Sequence, residues 1–107
     1  MPRKGSNRTA SPDPNLQQLF DVETLARICK ALGHPARIKI VNYLRKTDRC
    51  VCGKIVKMLP LAQSTVSQHL KCLKQAGLIK GEIEGLNTCY CLDTDVLERF
   101  RRTVESL

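Results

Sequence analysis

The chain has 107 residues, of which 18 are Lys or Arg and 10 are Asp or Glu, so its formal net charge is +8. This length suits one domain with a single core, which rarely encloses a catalytic cavity. No stretch approaches the roughly 18 apolar residues that a membrane-spanning helix needs. The basic N-terminus also lacks the apolar run of a secretory signal. We therefore expect a cytoplasmic protein with no membrane partner.

The positive charge is concentrated in the middle of the chain. Twelve Lys and Arg residues and one acid, Asp48, lie between Thr24 and Gly81, and six acids follow Gly81. A basic block in a compact domain favours a polyanionic partner, because each neutralised phosphate releases counterions. The composition thus indicates nucleic-acid binding, with a merely solvated cationic surface as the alternative.

Residues 1–15 are rich in Pro, Ser and Asn, which predicts a disordered basic tail ahead of a folded domain over residues 16–107. Apolar residues then recur at helical spacing from Leu16 to Leu32. Asp21 to Thr24 interrupts this run, so one helix or two are both compatible with the pattern.

The breaker Gly33-His34-Pro35 predicts the start of the next helix, because Pro favours the first helical position. This helix is expected to end at Thr47-Asp48 and to bury the apolar residues Ile38, Val41 and Leu44. A third, short helix is predicted from Val51 to Leu59, ahead of Pro60.

After a tight connection, Val66, Leu70 and Leu73 resume the helical period, and Gly77 fits a C-terminal cap. Two short helices so connected predict a helix-turn-helix. The outer face of the second helix has no acid, and its Ser, Thr, Gln and Lys side chains can bind phosphates or base edges. An ordinary solvated face has a similar composition. The candidate DNA contacts are Gln63, Ser64, Thr65, Ser67, Gln68, His69, Lys71 and Lys74, with packing as the alternative role for His69.

The last third of the chain predicts a β-hairpin, or wing, and one more helix. Residues 78–84 and 88–92 have strand character and flank a turn. Asp93 or Thr94 can then cap a final helix that carries an apolar stripe. The predicted fold is mostly α with a small β-hairpin, a winged helix-turn-helix in the order α-α-α-α-β-β-α.

Six cysteines in such a chain indicate metal or redox chemistry rather than a disulfide framework. Cys50 and Cys52 are a soft-metal pair by ligand type. Residues two apart on a helix point about 200° away from each other, so joint binding requires an unwound first turn or an extended lead-in. Either change would distort the helix that supports the DNA-reading helix.

The other cysteines leave the third ligand open among Cys29, Cys89 and Cys91. Cys89 and Cys91 share one strand face, which points outward if Tyr90 faces the core. They are a second site, a redox pair or without function. Cys29 is interpreted as a core residue and Cys72 as structural.

Two segments resemble the ArsR/SmtB family of metalloregulators. The run Lys30–Ile38, K-A-L-G-H-P-A-R-I, is similar to one family segment, and Gln63–Leu70 is similar to the family's recognition-helix signature. The resemblance implies a homodimeric transcriptional repressor whose recognition helices enter successive major grooves of double-stranded operator DNA. The terminal helices would form the dimer interface, with Leu16, Leu19, Phe20, Val96, Leu97, Phe100 and Val104 as its residues.

The resemblance also implies an inducer. Cys50-Val51-Cys52 is similar to the ligand pair of the family's arsenic and cadmium/lead sensors, but Ile55 stands where arsenic sensors carry a third cysteine. As(III) or Sb(III) is therefore expected to bind Cys50 and Cys52 and to release DNA, with cadmium, lead or thiol oxidation as alternatives. The chain lacks a Cys-x-x-Cys motif and a Gly-rich phosphate loop, so we expect neither an enzyme nor an organic cofactor.

Overall fold

The computed structural model describes residues 18–47, 50–52, 60–84 and 87–107. This part of the chain contains four helices and a three-stranded antiparallel sheet. In chain order the elements are α1 Val22–Ala31, α2 Pro35–Lys46, β1 Cys50–Cys52, α3 Gln63–Gln75, β2 Ile79–Glu84, β3 Asn87–Leu92 and α4 Thr94–Glu105. The predicted tail, Leu16 and most of the predicted third helix lie outside the described residues. None of the described helices is long and apolar enough to cross a membrane.

Side chains next to the helix starts explain where three helices begin. Asp21, His34 and Asp93 are the N-cap residues of α1, α2 and α4. Each side chain accepts a hydrogen bond from a first-turn backbone N–H, at 2.8, 3.0 and 3.2 Å respectively. Asp21 thus begins α1 rather than interrupting it, and the predicted helical run is wrong over Gln18–Phe20.

The inward face of α2 differs from the prediction at one position. Ile38 was expected in the core, but it is 48% exposed. Ile40 takes its place and is fully buried with Leu44, beside Val41. Residues two positions apart on a helix point in nearly opposite directions, so only one of Ile38 and Ile40 can face the core.

The core lies where α2 and α3 meet the sheet. The largest fully buried side chains are Ile28, Ile40, Leu44, Val66, Leu70, Leu73, Leu78 and Ile79. This confirms the predicted inward stripe of α3, namely Val66, Leu70 and Leu73. The same stripe directs the polar face of α3 away from the core.

A glycine cap ends α3, as predicted. Gly77 has a φ of 85°, a conformation that costs an L side chain about 1–2 kcal/mol. Its N–H donates to the Lys74 carbonyl at 3.0 Å, and the Leu78 N–H donates to the Leu73 carbonyl at 3.1 Å. This is the Schellman pattern, which turns the chain directly into β2.

The sheet contains the predicted hairpin and one strand that was not predicted. β2 and β3 pair from Ile79 opposite Leu92 to Glu84 opposite Asn87, which confirms the wing. β1 pairs with the other edge of β3, giving the strand order β1-β3-β2. The prediction of a helix beginning at Val51 is therefore wrong, because Val51 lies in β1 and pairs with Tyr90.

The segment before α1 packs against α4. Arg99 donates from Nε to the Gln18 carbonyl at 3.0 Å, and its guanidinium lies 4.2 Å from the centre of the Phe20 ring. The Phe20 N–H donates to the buried Thr103 hydroxyl at 3.0 Å. These contacts hold the N-terminal segment beside the last helix of the same chain.

Candidate nucleic-acid interface and cysteine cluster

The outer face of α3 is polar and open to solvent. Seven of the predicted DNA contacts are exposed there: Gln63, Ser64, Thr65, Ser67, Gln68, Lys71 and Lys74. Since α3 contains no acidic residue, nothing within this helix would repel a phosphate. The face therefore offers hydroxyl, amide and ammonium donors on one side of a single helix.

His69 differs from the other predicted DNA contacts. It is only 9% exposed, and its Nδ1 accepts a hydrogen bond from Arg37 Nε at 3.2 Å. Its ring centre lies 4.4 Å from that of His34. Burial, reinforced by the charges of His34 and Arg37, lowers the pKa of His69 below its ordinary value. His69 thus faces the interior, and we remove it from the DNA-contacting set.

Arg37 connects three helices, a role that the sequence did not indicate. Besides its bond to His69 of α3, it donates from Nη1 to the carbonyls of Lys30 and Ala31 at 3.3 and 3.1 Å. These carbonyls lie in the last turn of α1, where a carbonyl has no helical N–H group four residues further along the chain. Arg37 therefore positions α3 relative to α1 and α2.

The N-terminus of α3 is uncapped by any side chain. Ala62 is the N-cap residue and makes no side-chain hydrogen bond to the first turn. A helix N-terminus leaves backbone N–H groups without intrahelical acceptors. The first turn of α3 therefore offers backbone N–H groups that the N-cap side chain does not engage.

The wing lies against the C-terminal half of α3. The Tyr90 ring crosses its strand neighbour Gly81, where an added Cβ would come within 2.9 Å of a ring carbon. The same added Cβ would lie 3.7 Å from the Lys74 ammonium. Gly81 therefore leaves space for the ring. The Lys74 ammonium lies beside β2, at the boundary between α3 and the wing.

Four cysteines meet on β1 and β3. The register places Cys50 opposite Cys91 and Cys52 opposite Cys89. Residues two apart in a strand share a face, so all four lie on one face of the sheet. We call Cys50, Cys52, Cys89 and Cys91 the cysteine cluster.

A disulfide joins Cys50 to Cys91 within this cluster. The prediction that the thiols form no disulfide is wrong for Cys50 and Cys91, and also for Cys89, which is disulfide-bonded. The two redox pairs considered from the sequence were Cys50 with Cys52 and Cys89 with Cys91. Both are wrong in this structure, because the bond between the strands uses one cysteine of each pair. The sequence contained a signal for this arrangement, because both strands carry the same Cys-x-Cys spacing.

The two faces of the sheet differ in character. Val51 is buried and pairs with the half-buried Tyr90 on the core side. On the other side Cys50 is exposed and Cys91 half-buried, but Cys89 is only 7% exposed. The expectation that both wing cysteines point into solvent is therefore wrong for Cys89.

The remaining cysteines lie outside the cluster. Cys29 is exposed and free on α1, so its interpretation as a core residue is wrong. Cys72 is free and half-buried on α3. In the described part of the chain, no three His, Cys, Asp or Glu side chains are gathered as metal ligands in this disulfide-bonded state.

The predicted dimer residues divide into two groups. Phe20, Val96, Leu97 and Phe100 are partly buried against the core of their own chain. Leu19 and Val104 are 48% and 40% exposed. Val22 and Leu107, which were not among the predicted residues, are exposed to a greater extent. Leu16 lies outside the described residues.

Comparison with known proteins identifies the family. Residues 34–80 match the sequence profile of a family described as bacterial regulatory protein, arsR family. The chain is 41% identical over 81 residues to the transcriptional repressor SmtB of Mycobacterium tuberculosis, covering 76% of this chain and 58% of SmtB. It is 36% identical over 81 residues to the transcriptional repressor PagR of Bacillus anthracis, covering 76% of this chain and 81% of PagR.

A solved structure supports the fold assignment. The homodimeric winged helix-turn-helix DNA-binding domain of Mb0332, a possible ArsR-family regulator from Mycobacterium bovis, superposes with a TM-score of 0.62 at 27% identity. The match covers 79% of this chain and 81% of that domain. The chain belongs to the ArsR/SmtB family of transcriptional repressors, a regulatory and non-enzymatic family.

Proposed function

We propose that the chain is a homodimeric transcriptional repressor that binds double-stranded operator DNA and releases it when a soft metal or metalloid binds its cysteine thiolates. The foremost inducer is As(III) or Sb(III), ahead of cadmium and lead. The observation that carries the proposal is the register of β1 and β3, which sets Cys50 opposite Cys91 and Cys52 opposite Cys89. Four potential sulfur ligands thus lie beside the DNA-reading elements.

The exposed face of α3 supports the DNA-binding part of the proposal. Hydroxyl and amide side chains there can bind phosphates or read base edges, and lysines add salt-dependent affinity. We propose that the contacts are Gln63, Ser64, Thr65, Ser67, Gln68, Lys71 and Lys74. The uncapped first turn of α3 suits the same role, because free N–H groups favour phosphate oxygens.

Exposed apolar side chains support the dimer. Leu19 lies in the segment that packs on α4, and Val104 lies on α4 itself. Burying such side chains against a second copy would remove apolar surface from water. The homodimeric relative from Mycobacterium bovis has the same fold. In such a dimer the two α3 helices would enter successive major grooves, one helical turn apart.

The cluster suits a trivalent metalloid. Thiolates are soft ligands that favour such ions, and As(III) bonds to as many as three of them. Cys50 and Cys52 would supply two, and the β1–β3 register supports Cys91 or Cys89 as the third. Cys29 is no longer a candidate because it lies on α1, outside the sheet. An ion that accepts four thiolates, such as cadmium, would use the whole cluster.

Sulfur ligation is coupled to DNA binding through the sheet. β1 precedes the helix-turn-helix and β3 belongs to the wing, while Leu73, Leu78 and Ile79 pack α3 against β2. An ion held by both strands imposes its own sulfur geometry on the sheet. The inducer would thereby favour a conformer that presents α3 and the wing poorly to two grooves, which lowers DNA affinity by linkage.

Fluorescence anisotropy of the fully reduced protein on its own promoter DNA tests this function. Near-stoichiometric arsenite should release the DNA, and cadmium, lead and zinc are then compared. The double variant Cys50→Ser with Cys52→Ser should bind DNA like the parent but resist release. Cys29→Ser is the matched control, because it removes a free exposed thiol outside the cluster.

Two outcomes would contradict the proposal. Release of the double variant by arsenite would place the inducer site elsewhere in the chain. Absence of specific DNA binding at moderate salt would remove the repressor function itself, since specific complexes are ordinarily at least about 1,000-fold tighter than non-specific ones.

A further inference from the structure

The disulfide between Cys50 and Cys91 points to chemistry that ion binding does not use. It joins β1 to the wing across 41 residues of sequence, while Cys29 and Cys72 remain free. We propose that Cys50 and Cys91 form a reversible thiol–disulfide switch. When this pair is oxidised, the cluster is closed to thiophilic ions and the repressor stays on DNA. The closure rests on the proposed function, but the disulfide chemistry itself does not.

The positions of the two sulfurs favour this switch. Cys50 and Cys91 are direct partners in the β1–β3 ladder, with Cα atoms 4.0 Å apart. Their sulfurs therefore meet while the strands stay paired. Cys50 is exposed and Cys91 half-buried. A small oxidant in solvent would reach Cys50 first, and Cys91 is placed to react next.

A hydroperoxide is the class of oxidant that we propose. The Cys50 thiolate attacks one peroxide oxygen, the O–O bond breaks, and the departing alkoxide takes a proton to become an alcohol. The Cys91 thiolate then attacks the sulfur of the Cys50 sulfenic acid. The S–S bond forms, the S–O bond breaks, and the hydroxide leaves as water after taking the second proton. Two thiols thus lose two electrons and two protons, and a dithiol reverses the step by exchange.

Ligand number explains why oxidation closes the site. A disulfide sulfur carries no thiolate charge to donate to an ion, so the Cys50–Cys91 bond removes two of the four ligands. Cys89 is also disulfide-bonded in this structure, so the cluster keeps fewer than the three thiolates proposed for As(III). The oxidised cluster should therefore lose its capacity to hold the inducer.

The oxidised state keeps the DNA-reading surface. With the disulfide in place, α3 retains its exposed polar face and its Gly77 cap. The core side of the sheet retains Val51 opposite Tyr90, because the cysteines lie on the other face. Oxidised protein should thus bind the operator within about twofold of the reduced protein.

A cross-linking experiment tests the pair directly. The variant Cys29→Ser with Cys72→Ser retains only the cluster, and adding Cys52→Ser with Cys89→Ser leaves Cys50 and Cys91 alone. One equivalent of hydrogen peroxide should lower the chain mass by two hydrogens. Tryptic peptides 50–54 and 81–99 should then be linked until dithiothreitol is added. Two reduced thiols, or dimers linked between chains, would overturn the switch.

Arsenic capture tests the closure in the variant that retains the whole cluster. Native mass spectrometry should find one arsenic per reduced chain and none per oxidised chain, and dithiothreitol should restore capture. In anisotropy, oxidised protein should stay on DNA at an arsenite concentration that releases the reduced form. Capture of arsenic by the oxidised chain, or its release from DNA, would overturn the closure. If reduced protein captures arsenic but stays on DNA, the proposed function fails while the mass data still support the closure.

Discussion

The helices and the strand β1 of this protein are specified in different ways. The start of α1, α2 or α4 depends on one N-cap side chain within three residues, and the end of α3 depends on Gly77. β1 has no comparable local signal. It is a strand because residues 50–52 pair with residues 89–91, and the partners Cys50 and Cys91 are 41 residues apart.

This contrast separates the two proposed activities. The DNA-reading face lies on one helix, so its side chains are arranged correctly whenever α3 forms. The cysteine cluster exists only when β1 and the wing are paired, which requires the folded domain. The response to the inducer should therefore be lost more readily than DNA binding when the sheet edge is weakened.

The largest expected effect comes from opening the cross-link at the sheet edge. In oxidised samples the double variant Cys89→Ser with Cys91→Ser should lower the free energy of unfolding by about 4 kcal/mol, the chain-entropy value for a loop of 41 residues. Urea denaturation with and without dithiothreitol measures this, and the reduced parent should approach the variant. Cys29→Ser should leave the oxidised stability unchanged. A loss below about 1 kcal/mol would mean that the cross-link constrains the unfolded chain far less than its length predicts.

Disrupting a locally specified feature, the glycine cap of α3, should lower the stability less than losing the cross-link. Gly77→Ala forces a side chain into a φ of 85° and should cost about 1–2 kcal/mol. Gly77→Asn should cost less, because Asn tolerates the left-handed region better than Ala. Thermal unfolding of the three proteins checks the order. If Asn and Ala cost the same, backbone conformation is not what selects glycine here.

The uncapped start of α3 offers a test that separates stability from DNA binding. Ala62→Ser and Ala62→Asp should each stabilise the fold by about 1 kcal/mol, since either side chain can accept from the first turn. Only Asp adds a negative charge where phosphate is expected, so Ala62→Asp should weaken DNA binding and Ala62→Ser should not. Equal DNA affinity of the two variants would contradict a phosphate at this helix end.

The sequence predicted the locally specified parts and missed those that depend on distant partners. Pro35, Gly77 and Asp93 marked helix ends correctly, because each acts within its own turn. Ile38 was placed inward because periodicity does not say which of two apolar residues meets the core. The Cys50–Cys91 pairing was missed because its signal, the Cys-x-Cys spacing shared by β1 and β3, lies in two segments whose pairing neither segment indicates by itself.

The smallest expected effect is a pH dependence at the junction of α2 and α3. Burial, with the charges of His34 and Arg37, lowers the pKa of His69 in the folded protein below 6.5. The unfolded chain therefore takes up a proton at a higher pH than the folded chain does. The stability contributed by neutral His69 is complete above about pH 6.5 and is lost as the pH falls through the folded pKa.

His69→Asn isolates this contribution. Asn offers Arg37 Nε an oxygen in place of the imidazole Nδ1, which accepts at 3.2 Å, but it does not titrate. The parent should lose more stability than the variant when urea unfolding is compared at pH 7.5 and pH 5.5. Equal losses of stability in the two proteins would assign the pH dependence to another group. The Arg37–His69 contact would then position α3 without contributing to that dependence. A difference confined to the parent would show that α3 is held in place by an imidazole that must remain neutral, a condition that β1 and the wing do not share.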